Sequence, residues 1–136
     1  MALFYQHNIN DSDRLGVWSI TEEEHFFFSR VPLHRNISHE RKRLQHLAGR
    51  YLLQYLYPEF PYELIEIADT RRPFIKNESF HFSISHCGDF AAALVSRSRR
   101  VGVDVELVTP SIGRIAHKFL SSDERMLFPG QQFIQT

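Results

Sequence analysis

Cysteine is nearly absent. Cys87 is the only one in 136 residues, which excludes a disulfide framework and a cysteine-based zinc cage. Net charge is missing as well, because 16 acidic residues balance 16 basic ones. No global field therefore argues for nucleic acid or a membrane, although a local basic patch stays open. No apolar stretch approaches bilayer length. The N-terminus has no charged segment running into a long apolar one, so no signal peptide is expected. Repeats and low-complexity tracts are lacking too. The expectation is a soluble cytoplasmic protein whose residues 1–136 form one domain, long enough to bury a core without staples.

What is present has clear periodicity. "LGVWSI" reads as a strand, with Val17 and Ser19 on one face and Trp18 and Ile20 on the other. In "TEEEHFFFS", Thr21 is a candidate N-cap, and three glutamates suit the positive end of a helix. After Ser38, another candidate cap, Leu44, Leu47, Ala48, Tyr51, Leu52, Tyr55 and Leu56 fall on one helical face. Pro58 and Pro61 forbid continuation. Arg43, His46, Arg50 and Gln54 form a second stripe on this helix. Pattern alone leaves two readings of it open, a solvated flank and a cationic rail for phosphate.

From Phe80 the period falls to two. Phe80, Phe82, Ile84 and His86 share one face, and His81, Ser83 and Ser85 the other. "CGD" turns the chain into "FAAALVS", and "RSRR" turns it again into "VGVDVEL". Connections this short predict a three-stranded antiparallel meander. Beyond it "SIGRIAHKFL" is helical in character, and Ser121 with Glu124 offers a capping box for a further helix. Together these elements predict an α+β fold, with helices packed on a small antiparallel sheet.

Within "VGVDVE", Asp104 and Glu106 lie two residues apart and project together, while Val101, Val103 and Val105 face the opposite way. Two bare carboxylates this close repel, and one would raise its pKa. Basic neighbours, plain solvent or a metal would each relieve them. An oxygen-only donor pair selects a hard cation, and magnesium takes one or two carboxylates plus waters and substrate phosphate oxygens. Positive partners lie nearby in His86 and in "TRRPF", where Pro73 biases Arg72 toward an extended backbone. A strand-end histidine and a loop arginine are each ordinary surface features when taken singly.

In order, "RRP", "FSISHCGDFAAALVS", "VGVDVE" and "IAHKFLSSDE" resemble the motifs of phosphopantetheinyl transferases of the surfactin-synthetase type, over Arg71 to Glu124. The helix "RLQHLAGRYLL" is similar more loosely. The resemblance implies the first half of a pseudo-twofold fold. It implies transfer of 4′-phosphopantetheine from coenzyme A to a serine of an acyl or peptidyl carrier protein. By the same resemblance Asp104 and Glu106 are catalytic and would hold Mg2+ on the coenzyme A pyrophosphate. Ser85 and His86 would hold the 3′-phosphate end, and Arg72 and Arg50 would meet phosphates, with His46 and Arg43 less firmly implied.

The chain departs from the pattern where a tryptophan-x-x-lysine-glutamate segment should follow. Its one tryptophan is Trp18, and its lysines are Lys42, Lys76 and Lys118. The expectation is therefore an N-terminal portion, ending with the start of a linker helix and inactive or nearly so alone. An exposed apolar face would favour a homodimer. The alternative expectation is a non-catalytic module that retains coenzyme A or carrier-protein binding. Neither nucleic acid nor membrane is expected as a partner.

Overall fold

All eleven helical positions singled out above, apolar and polar, fall inside α2, which runs from Glu40 to Leu56 in a computed structural model that describes residues 3–31, 37–67, 73–109, 112–119 and 122–129. His39, rather than Ser38, is the N-cap, its ring accepting from the Lys42 N–H. Leu47, Ala48 and Leu52 are fully buried. Burying a leucine contributes about 1.5–3 kcal/mol. The shorter α1, Glu24–Phe28, starts at Glu23 without a side-chain cap, so Thr21 does not serve as one. Trp18, Phe26, Phe27 and Tyr51 meet edge to face where α1, α2 and the sheet join.

Strands β1 (Leu3–Asn8), β2 (Arg14–Ser19), β5 (His81–Cys87) and β6 (Phe90–Ser96) form one antiparallel sheet in the order β1-β2-β6-β5. Between them β3 (Ile65–Ile67) and β4 (Pro73–Ile75) make a separate two-stranded ribbon. Strand β6 is buried at every position. Both its faces are covered, which is why "FAAALV" is apolar without alternation. Trp18, Phe82, Ala91, Ala93 and Val95 pack with α2, while Leu15, Val17, Phe90, Ala92 and Leu94 pack with Val105 and Ile115 on the other face.

Two glycines serve the fold, one by close approach and one by its backbone angle. A Cβ on Gly49 of α2 would lie 2.5 Å from Ile84 Cγ2, so only hydrogen fits between helix and β5. Gly88, at φ 57°, turns β5 into β6 in a conformation that side chains resist. Gln45 Nε2 donates to the Gly88 carbonyl at 2.8 Å, and Arg41 pairs with Asp89 at 2.8 Å, tying this turn to α2.

The α+β class holds, with two corrections to its detail. The expected three-stranded meander does not form, because β2 already occupies the second edge of β6. Strand β7 (Val101–Thr109) leaves that sheet, crosses its free face and pairs with β8 (Ile112–Phe119) and then β9 (Ser122–Pro129). The segment expected to be helical, including the start of a linker helix, is therefore strand in its described part. The edge of β7 needs partners for its backbone groups, β8 supplies them, and Ile115 is buried by that pairing. Gly113 weakens the helical alternative. Ser121 lies outside the described residues. Among the described residues no helix is long and apolar enough to cross a membrane.

Candidate functional site

The alternation of β7 brings two carboxylates to the surface. Val105 is 3% exposed and points into the second core cluster, with Val101 and Val103 packed on the same side. A period of two then sends Asp104 and Glu106 the other way. Asp104 is exposed and Glu106 half-buried. Neither acid stands bare. Ser85 Oγ donates to Asp104 Oδ1 at 3.2 Å. Arg114, the register partner of Glu106 on β8, forms an ion pair with it. A basic neighbour, one of the three expected means of relief, serves Glu106, while Asp104 has a hydroxyl, which was not among them.

Two carboxylates on one open face suit a hard cation that brings its own water and phosphate oxygens. Among the described residues no group of three or more His, Cys, Asp or Glu side chains converges. A magnesium site here would thus be completed by ligand oxygens, and Arg114 would have to release Glu106. On those terms the residues fit the ion.

Strand β5 separates the other expected residues. Ser83 and Ser85 face β7, where their hydroxyls accept from the Val103 N–H at 3.1 Å and the Val105 N–H at 3.2 Å. His86, next in sequence, shares the parity of Phe82 and Ile84, the residues that pack toward α2. Ser85 and His86 therefore project to opposite faces. His86 is exposed.

Arg50 belongs to the α2 layer and is only 5% exposed. Its carbonyl accepts from the Tyr62 hydroxyl. Burial pushes the Tyr62 phenol far above its ordinary range, against the opposing pull of the Arg50 charge. The polar stripe on α2 is not a solvated flank. Arg43 pairs with Glu24, a bond that raises the guanidinium pKa still further, and donates to the Ile37 carbonyl at 2.9 Å. Gln54 Nε2 donates to the Phe60 carbonyl at 3.2 Å. His46 is half-buried. Arg72 lies outside the described residues. Sequence reasoning missed Ser83, although its spacing with Ser85 equals that of Val103 with Val105. An open cleft of about 780 Å³ between α1 and α2 is lined by Glu22, Glu24, Phe28, Glu40 and Leu44, and by none of the expected site residues.

No family model matches the chain. Curated proteins do. The chain is 37% identical over 79 residues to enterobactin synthase component D of Escherichia coli O157:H7, a match covering 56% of the chain and 37% of that protein. It is 34% identical over 90 residues to the component D of Salmonella typhi, covering 64% and 38% respectively. It is also 34% identical over 84 residues to a 4′-phosphopantetheinyl transferase of Bacillus pumilus, covering 57% and 36%. The chain thus spans under two fifths of the length of these relatives.

Proposed function

We propose, from the premise that this chain is kin to the 4′-phosphopantetheinyl transferase superfamily, that it carries the metal face of a holo-carrier-protein synthase. The reaction moves 4′-phosphopantetheine from coenzyme A to a serine hydroxyl of an acyl or peptidyl carrier protein. The 34% identity over 84 residues to the Bacillus pumilus transferase carries this reading, and the outward-facing acid pair supports it. Asp104 and Glu106 would hold Mg2+, which supplies neutralisation of charge gathering on the leaving phosphate. The exposed His86 near the end of β5, together with Arg72, would meet the nucleotide phosphates, and Arg50, 5% exposed, would join them only on movement of the α2 layer. Positioning and electrostatics dominate such transfers, so placing these charges accounts for most of what the chain contributes. The working compartment would be the cytoplasm, where coenzyme A and carrier proteins meet.

The test is mass spectrometry of a carrier protein incubated with coenzyme A, magnesium and the 136-residue chain. Addition of phosphopantetheine, with release of adenosine 3′,5′-bisphosphate, supports full transferase chemistry. Binding of coenzyme A by calorimetry without transfer supports a binding module instead. Absence of both transfer and coenzyme A binding would overturn the proposal. Leu64, Ile67 and Phe74, 41%, 49% and 38% exposed on and beside the β3–β4 ribbon, support association of two copies through that ribbon. A monodisperse monomer at high concentration in sedimentation equilibrium would count against it.

A further inference from the structure

Strand β7 bonds to β8 along one flank only. The N–H groups of Val103 and Val105 point away from β8, and no backbone ladder joins them to the first sheet. Two hydroxyls of β5 receive them instead, Ser83 and Ser85, at 3.1 and 3.2 Å. Both contacts advance together by two residues, so β5 and β7 run the same way. Ser85 Oγ accepts from Val105 and donates its single hydrogen to Asp104 Oδ1 at 3.2 Å. One hydroxyl therefore fixes both the backbone beside Asp104 and the orientation of its carboxylate.

We propose that Ser83 and Ser85 are positioning residues that hold the acid-bearing strand in register against β5 and aim Asp104 for its metal. The inference rests on the magnesium reading above. It also gives Ser85 a different task from contact with the 3′-phosphate. A hydroxyl that accepts from one group and has given its only hydrogen to another has none left to donate to a phosphate, which at neutral pH is mostly the dianion and acts as an acceptor. Alanine at either position would leave a strand N–H unpaired and let β7 shift.

The experiment compares the whole chain with Ser83→Ala, Ser85→Ala and Ser85→Thr. Amide hydrogen exchange at Val103 and Val105 reports the strand. Paramagnetic resonance of Mn2+ in the presence of coenzyme A reports the metal. The affinity ratio of coenzyme A to dephospho-coenzyme A reports the 3′-phosphate. Ser85→Ala is expected to speed exchange at Val105, to weaken Mn2+ about tenfold, the equivalent of one hydrogen bond, and to leave the ratio unchanged. Ser83→Ala speeds exchange at Val103 and weakens Mn2+ by about threefold. Ser85→Thr, which keeps the hydroxyl, restores both readouts.

Wild-type exchange in both alanine variants overturns the inference, as does a fall in the affinity ratio with Mn2+ binding intact. If the wild-type chain binds no Mn2+ at all, the magnesium reading fails, and the strand-holding role is still decided by exchange. Should Ser85→Ala not fold, Ser83→Ala read at Val103 decides it in the same way.

Discussion

The two faces of the four-stranded sheet are covered by opposite means. Toward α2 the contact is large and apolar, with Trp18, Phe27, Leu47, Leu52, Tyr57 and Phe60 in one cluster. Toward β7 the cluster is smaller and built from Leu15, Val17, Ala92, Leu94, Val105 and Ile115. Its rim is polar, with serine hydroxyls taking strand N–H groups and carboxylates looking outward. The first face resists change in any side chain because close packing gives no slack. The second tolerates exposed charge because water and hydrogen bonds satisfy it. Close apolar packing thus dominates one side of the sheet, and the exposed acid pair lies on the other.

Substitutions can break or sharpen that contrast. The largest stability loss is expected from Leu52→Ala on the α2 face, about 2–5 kcal/mol by urea denaturation, since the side chain is fully buried. Gly49→Ala should follow, at about 1–3 kcal/mol, because the new methyl meets Ile84. Equal stability in either variant would mean that the helix face is looser than the packing states.

The buried Asp13 beside β2 offers a pH test of the polar rim. Burial raises its carboxyl pKa, but hydrogen bonds from Ser96, Arg99 and Asn10 and the Arg99 charge outweigh burial, so the net value falls below the ordinary 3.8. Arg99 approaches Asp13 Oδ2 through Nε at 2.9 Å and through Nη2 at 2.6 Å. A depressed folded pKa gives stability that is present above the unfolded value and lost as pH falls through the folded one. Asp13→Asn should therefore flatten the acid limb of the stability curve below about pH 4. An unchanged acid limb would show that other groups set it.

Smallest in stability is Asp104→Ala, within about 0.5 kcal/mol for an exposed residue. The same change should abolish metal-dependent coenzyme A binding in calorimetry. A large stability loss with binding kept would reverse the assignment of the two faces.

Much of this was readable from spacing. The α2 stripe, the alternation of β2 and β5, and the opposed directions of Val105 and Asp104 all follow from periods of 3.6 and 2. The fate of the polar stripe on α2 was not readable, because Arg43 is matched by Glu24, nineteen residues away, and Gln54 by a carbonyl beyond a proline. The separation of Ser85 from His86 was written in the alternation, and treating them as one unit overlooked it.

By itself the sequence determined which residues share a face, where α2 must stop, and that two acids travel together on an otherwise apolar strand. These are local consequences of backbone geometry. Only the tertiary structure decided which strand edge β7 meets, that residues 112–119 and 122–129 extend rather than coil, and that two serines receive its N–H groups. Those outcomes depend on competition for a limited number of strand edges between segments far apart in the chain, and no local period records who wins it.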